Sequence, residues 1–562
     1  MPASEATLPP LVALPLLLRY LPLVAGGALL LTALGLGWRV WACRRGAPLW
    51  RCLLAERELL LFGTALLLMG LALAAATLVW RAVWGTVTGV YLGWCLFIRG
   101  GRTSWPALAP AKEQGDAEQP GAESIIPGWV FPLLWAVAAV PLWFPDARPQ
   151  ATVLALVLVA ISLLVVTLLG RRPWPVVGDL PAMAVLIVTA LISAWRGGVA
   201  ELTVPKLTGL LLGLYGYWAL RRWRGAASSL ATLALWCGAL ALGFALVGLA
   251  GGLRPAKVGP LGDLLVQVPK LVQSLPGTQH GRVSMNQLGG AIVHAAPLLI
   301  ALVTCIPRRH TQGEAFSWLG WTASLLGALA LLGALLLTQS RSAWAGMLVA
   351  LVVLLTGRAR WGPWALLIVL LGGLVAWLAW GQTLIAPRVV QALIGPLPTS
   401  WGTVTLHGRL SIWEDAASYI LRNPWLGQGL GTFRLEGVQD LAGRSLLDVG
   451  MPHAHNVLLG VAYDLGLPGL AAYLSLLLIA TIDGVRALGR LKGPPRQAVL
   501  GALAGLVGAH VYGMMDAVAL GAKPGVLFWM LLALVSAAHG CSEVAPSHAS
   551  EPVCPSEPLR LG

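Results

Sequence analysis

The stretch Met451–Gly469, MPHAHNVLLGVAYDLGLPG, sets two histidines and an asparagine where a long polar segment gives way to membrane-length apolar sequence. His455 and Asn456 open a spaced pattern: His-Asn, nine residues, then Gly-x-x-Gly. The two glycines and Pro468 allow a break, so that a short helix at the outer surface can turn into a spanning one. An imidazole at such a rim can be neutral at pH 7 and take a proton. The plainer alternative is a histidine that caps the helix or bonds a loop carbonyl. His453 would complete a His-x-His pair, but Asp448 and Glu436 are only loosely placed as third ligands, and no metal is expected.

Cations gather in the same neighbourhood. Arg341 lies in LTQSRSAW, at a tight turn between two apolar runs; Arg282 lies in GRVSMNQLGG, just before another; Arg409 lies in GRLSIW. Guanidinium groups suit bidentate binding of phosphate or diphosphate. Each alone could instead snorkel to headgroups or pair with Glu414 or Asp415. Asp516, in AHVYGMMDAVAL, is an acid near the outer end of an apolar run, able to orient His455 or balance an arginine. Asp464 is read as structural. GQGLG at 427–431 follows no strand and is read as a turn, not a phosphate cradle.

The elements that hold these residues are apolar runs of membrane length. Spans are expected near 18–38, 59–80, 82–98, 128–143, 150–170, 180–195, 203–220, 229–250, 287–306, 317–338, 342–356, 363–383, 456–480, 497–518 and 524–539, about fifteen in all. They lack strand alternation, so the expected fold is all-α: a polytopic integral membrane helical bundle with a large external loop containing short helices. In that loop, Leu410, Trp413, Ala417 and Ile420 recur at helical spacing until Asn423-Pro424 stops the helix. The expected organisation is three extra N-terminal membrane helices over 1–98, a Pro/Gly/Glu/Gln-rich cytoplasmic linker over 99–127 and a membrane core over 128–383. The large external loop over 384–455, C-terminal membrane helices over 456–540 and a disordered cytoplasmic tail over 541–562 follow.

Composition agrees. The 562 residues are 57% hydrophobic and 11% charged, with mean hydropathy +0.78, which excludes an ordinary soluble domain. Lys/Arg-rich short loops such as RRPW (171–174), RRWR (221–224) and PRRH (307–310) are assigned to the cytoplasm, and the loops with about one cation each to the outside. The formal charge of +15 reports this bias and anionic headgroups, not a nucleic-acid surface. None of the 7 cysteines falls in an external loop, so no structural disulfide is expected. With no Walker A motif and no external Asp-x-Asp pair, no nucleotide and no cofactor is expected, and an external substrate must carry its own activation.

LTQSRSAW, GRLSIWEDAASYILRNPWLGQGLGTF and PHAHNVLLGVAYDLGLPG, in that order and preceded by GRVSMNQLGGAIVHAAPLLIAL, resemble the O-antigen ligase/polymerase family over roughly residues 128–540. The resemblance implies a GT-C-like membrane glycosyltransferase, inverting and metal-independent, in a bacterial plasma membrane with its site on the periplasmic side. It implies a glycan donor on undecaprenyl diphosphate and an acceptor hydroxyl on lipid A core, growing polysaccharide or protein. It puts the catalytic histidine at His455 and diphosphate-binding arginines at Arg282 and Arg341. The segment after Arg282 is shorter and less proline-rich than usual in that family, and the three N-terminal spans exceed the typical ligase complement of twelve. The alternative is a lipid-linked oligosaccharide flippase or other transporter, which would also line a cavity with arginines but predicts internal repeats and midplane charges. A membrane scaffold or sensor, the third class, would not need this histidine–arginine grouping.

Overall fold

The computed structural model describes residues 10–43, 178–222, 229–251, 285–305, 318–358, 406–436 and 453–538, with the single positions Leu154, Val157 and Ile161. Arg282, the 99–127 linker, the 541–562 tail, most of the two long external segments and the spans read at 59–80, 82–98, 128–143 and 363–383 lie outside the described residues, as does nearly all of 150–170. Among the described residues the regular elements are helices and no strand occurs. In chain order they are α1 (Pro10–Leu18), α2 (Leu21–Cys43), α3 (Leu180–Gly197), α4 (Ala200–Arg222), α5 (Ser229–Gly251), α6 (Met285–Val303), α7 (Trp318–Thr338), α8 (Arg341–Arg358), α9 (Leu406–Arg422), α10 (Val457–Leu488), α11 (Gly493–Gly513) and α12 (Val526–Ala537).

Six stretches among them are long and apolar enough to cross a membrane: Leu16–Trp38, Leu180–Gly197, Met285–Val303, Trp318–Thr338, Arg341–Arg358 and Val457–Leu488. Leucines on the outer faces of α7 and α8, such as Leu319, Leu326, Leu348 and Leu355, are exposed, as lipid-facing side chains are. The fold is therefore an all-α membrane bundle. The spans read at 203–220 and 497–518 are helical, as α4 and α11, but fall outside the six: α4 carries Glu201, Lys206, Arg221 and Arg222, and α11 opens on Gly-Pro-Pro-Arg-Gln. The second of them ends early. α11 stops at Gly513, so Asp516 lies past the helix in a turn, not within a span as the sequence pattern implied.

α6 is buried along most of its length and packs against α5, α7, α8 and α11. α11 meets α8 at Gly508, where a Cβ would stand 2.6 Å from the Gly346 carbonyl oxygen, so small residues set the approach of these two helices. α10 runs beside α2, α3, α9, α11 and α12. At the bundle's other end Arg221 pairs with buried Asp179 and lies 3.7 Å from Asp483, while Tyr217 donates to Asp179; this clamp ties α3, α4 and α10. α9 forms as its pattern predicts, burying Ile412, Ala416, Ala417 and Ile420, and ends just before Asn423-Pro424. α1, not separated from α2 in the sequence reading, packs on α9, where the Leu14 amide donates to Glu414 Oε2 at 2.8 Å.

The expected break in α10 is present. Gly466 sits at φ 72°, ψ 178°, which frees backbone groups that a continuous helix would pair. The turn that follows α9, together with Ser193 of α3, satisfies them. The Gln428 amide donates to the Tyr463 carbonyl at 2.8 Å, the Leu467 amide to the Pro424 carbonyl at 2.7 Å, and Ser193 Oγ to the Asp464 carbonyl. Gly427 must be glycine: its φ is 72° and a Cβ would lie 2.6 Å from the Asp464 carbonyl oxygen. Asp464 completes the joint, accepting from the Gly431 amide at 3.2 Å and pairing with Lys206 at 2.7 Å. The glycine-rich turn is thus a plug for a broken helix, and Asp464 is structural.

Candidate functional site

α10 begins at a cap. Asn456, in extended conformation, accepts from the Leu458 and Leu459 amides at 3.0 and 3.2 Å, satisfying two orphan donors of the first turn. Its Nδ2 donates to the Met514 carbonyl at 3.3 Å, tying the start of α10 to the turn that follows α11. Because Asn456 does the capping, the imidazole before it takes a different partner. His455 holds φ 50°, a left-handed conformation uncommon for a residue with a side chain and enriched at functional sites.

That partner is Asp516. His455 Nδ1 lies 3.2 Å from Asp516 Oδ1, which also accepts the Ala517 amide at 2.8 Å. A carboxylate facing Nδ1 holds the proton there and leaves Nε2 as the acceptor, the tautomer a general base requires. Burial alone would push the Asp516 carboxyl up. His455, by charge and hydrogen bond, and then His453 and Arg409 outweigh burial and hold the group below the usual carboxylate range. Asp516 thus faces His455 and lies within electrostatic reach of Arg409.

His453 supports the pair from behind. Its ring meets that of His455 edge-on at 4.6 Å between centroids, and its Nδ1 accepts the His455 amide at 3.2 Å. Burial, then the charge of His455, push its pKa down to about 3, so it is neutral. The fold supplies the third group that the sequence reading did not find for a metal: ligand atoms of His453, His455 and Asp516 lie within 4.8 Å of one another. It is Asp516, whereas Glu436 accepts from the Tyr463 hydroxyl at 2.5 Å. The bonding does not suit a cation. With Nδ1 accepting an amide, neutral His453 carries its proton on Nε2, the atom that faces Asp516 Oδ1 at 3.7 Å, whereas a ligating histidine donates from its other nitrogen.

The arginines divide. Arg341 opens α8 directly after a tight turn at Gln339 and Ser340, with Gln339 at φ 51°, as its place between two apolar runs predicts. Arg409, on the first turns of α9, lies near enough to Arg341 for the two guanidiniums to repel, and near enough to Asp516 and Tyr512 to act on both. His453, His455, Asn456, Asp516, Arg409 and Arg341 therefore converge on one end of the bundle. Arg282 lies outside the described residues. A small cavity adjoins His453, lined by Lys206, Phe433, Tyr463 and Leu520 among others. Trp413, one helical turn beyond Arg409, was read only as part of the helix pattern.

The described helices form an all-α membrane bundle that sets a half-buried histidine against a buried aspartate, near two arginines, at one end. Residues 326–474 match the family model described as O-Antigen ligase, and this match supports an O-antigen ligase family membrane protein. The matched segment holds Arg341, Arg409, His453, His455 and Asn456; Asp516 lies beyond it and joins them through the fold. The match supports ligase-type function in general and does not favour the transporter alternative. No curated protein matches the chain.

Proposed function

We propose that the protein transfers a glycan from undecaprenyl diphosphate to an acceptor hydroxyl at the outer face of a bacterial inner membrane, with inversion and without a metal. The observation that carries this reading is the His455–Asp516 pair within reach of two arginines. His455 Nε2 takes the proton of the acceptor hydroxyl as its oxygen attacks the anomeric carbon. The bond from that carbon to the diphosphate oxygen breaks, and its electron pair leaves with undecaprenyl diphosphate. Asp516 stabilises the imidazolium formed. Arg341 and Arg409, with Arg282 by resemblance, meet the charge growing on the departing diphosphate. The acceptor class, whether lipid A core, growing polysaccharide or protein, is set by parts of the molecule that contact it and is not part of this proton-transfer chemistry.

Purified protein given lipid-linked glycan and acceptor, without nucleotide and in the presence of chelator, is expected to release undecaprenyl diphosphate. His455→Ala is expected to cut that release by about 10²–10⁴-fold, the worth of a general base. Full activity in a folded His455→Ala protein rejects the role.

A further inference from the structure

Arg409 and Trp413 are one helical turn apart on α9, so their side chains are neighbours on one face. Helical side chains lean toward the N-terminus, which carries the indole of Trp413 back over the turn that holds Arg409. Each has a buried N–H without a hydrogen-bond partner: Nε of Arg409 and Nε1 of Trp413. A buried donor left unpaired is costly, and an indole N–H shut off from water ordinarily finds an acceptor. Glu414, next to Trp413 in the chain, accepts from the Leu14 amide of α1. The adjoining positions Ile412, Ala416 and Ala417 are buried in the same core as the first turns of α10, so this face of α9 is turned inward, toward the helix that follows His455. Two unmet donors beside a second guanidinium, Arg341, call for an oxygen-rich anion.

We infer that Trp413 and Arg409 form one edge of the donor subsite, in which the indole N–H of Trp413 and Nε–H of Arg409 donate to oxygens of a prenyl-linked diphosphate. This rests on the ligase reading and adds to it a binding residue with a neutral donor. Trp413 is a binding residue here, holding the leaving group in place, and Arg409 supplies the charge.

The test is binding of farnesyl diphosphate to the full-length protein in detergent, measured by calorimetry, with farnesol as the control lacking the anion. Trp413→Phe keeps the ring and removes the N–H, and is expected to weaken farnesyl diphosphate by about tenfold or more, the worth of a hydrogen bond to a charged group. Farnesol binding stays the same. Combined with Arg409→Gln, the losses are expected to be non-additive, since both donors hold one group. If Trp413→Phe does not assemble, Trp413→His, which keeps a ring N–H, is compared with Trp413→Leu; tighter binding by the histidine variant supports the assignment and equal binding overturns it. Wild type that binds and transfers while Trp413→Phe binds equally well overturns this inference alone. Wild type that binds no prenyl diphosphate overturns the donor assignment with it.

Discussion

Asp516→Asn isolates what the carboxylate does for His455. The substitution is nearly isosteric and fits the bonding: Asp516 Oδ1 receives His455 Nδ1 and the Ala517 amide, while Oδ2 has no hydrogen-bond partner. An asparagine can keep the first oxygen in place and set its amide nitrogen where Oδ2 stood. What it loses is the charge facing an imidazolium. At the observed 3.2 Å and an effective dielectric of about 20, that attraction is about 5 kcal/mol. It is an upper bound, since the His455 side chain is 20% exposed and screened on that side. With the hydrogen bond kept, a loss of about 3–4 kcal/mol remains, or about 10²–10³-fold in kcat at 1.36 kcal/mol per decade. If the amide rotates and donates to Nδ1 instead, the tautomer reverses and the loss falls in the same range or beyond. Single-turnover release of undecaprenyl diphosphate reads the chemical step, and farnesyl diphosphate binding reads the donor site separately. The variant is expected to lose rate and keep affinity. A rate within about threefold of wild type would show that the carboxylate does not assist proton transfer.

Two further outcomes follow from the same geometry. His453 is held at about 3 in the fold against an ordinary 6.5, so between those values the unfolded chain takes up a proton that the folded chain refuses. Stability should therefore fall as pH drops from about 6.5 toward 3; thermal melts in detergent across that window should show a shallower decline for His453→Gln, and identical slopes would contradict a buried neutral imidazole. Gly466→Ala places a Cβ 2.5 Å from the Trp425 carbonyl oxygen at a backbone angle that side chains rarely adopt. It should cost at least about 1–3 kcal/mol and dislodge the GQGLG turn; a melting temperature and transfer rate equal to wild type would refute the account of that turn as the plug of a broken helix.

Much of this was legible along the chain because it depends on local chemistry. Apolar length determines a spanning helix, Asn423-Pro424 determines where α9 stops, and Gly466 with Pro468 announces a break, since each acts through its own backbone or its own transfer from water to lipid. The histidine and its neighbouring arginines could be singled out for a related reason: ionisable groups are scarce in such a chain, and each one demands an explanation. Other features depend on partners far away in sequence. Asp516 reads as a residue inside a span until α11 is seen to end at Gly513, and its contact with His455 joins positions 61 residues apart. Asn456 was placed beside the histidine, but the two hydrogen bonds it accepts from the α10 amides and the one it donates to the Met514 carbonyl needed the helix ends to be docked. The glycine turn could be recognised as a turn, yet its purpose, filling the hydrogen bonds of the α10 break, exists only once both are in contact. Sequence by itself determined which elements form and which residues had reason to be chemical. Tertiary packing decided which of those residues meet, because hydrogen bonds and charge pairing act over a few ångströms while the chain that joins them runs for tens of residues.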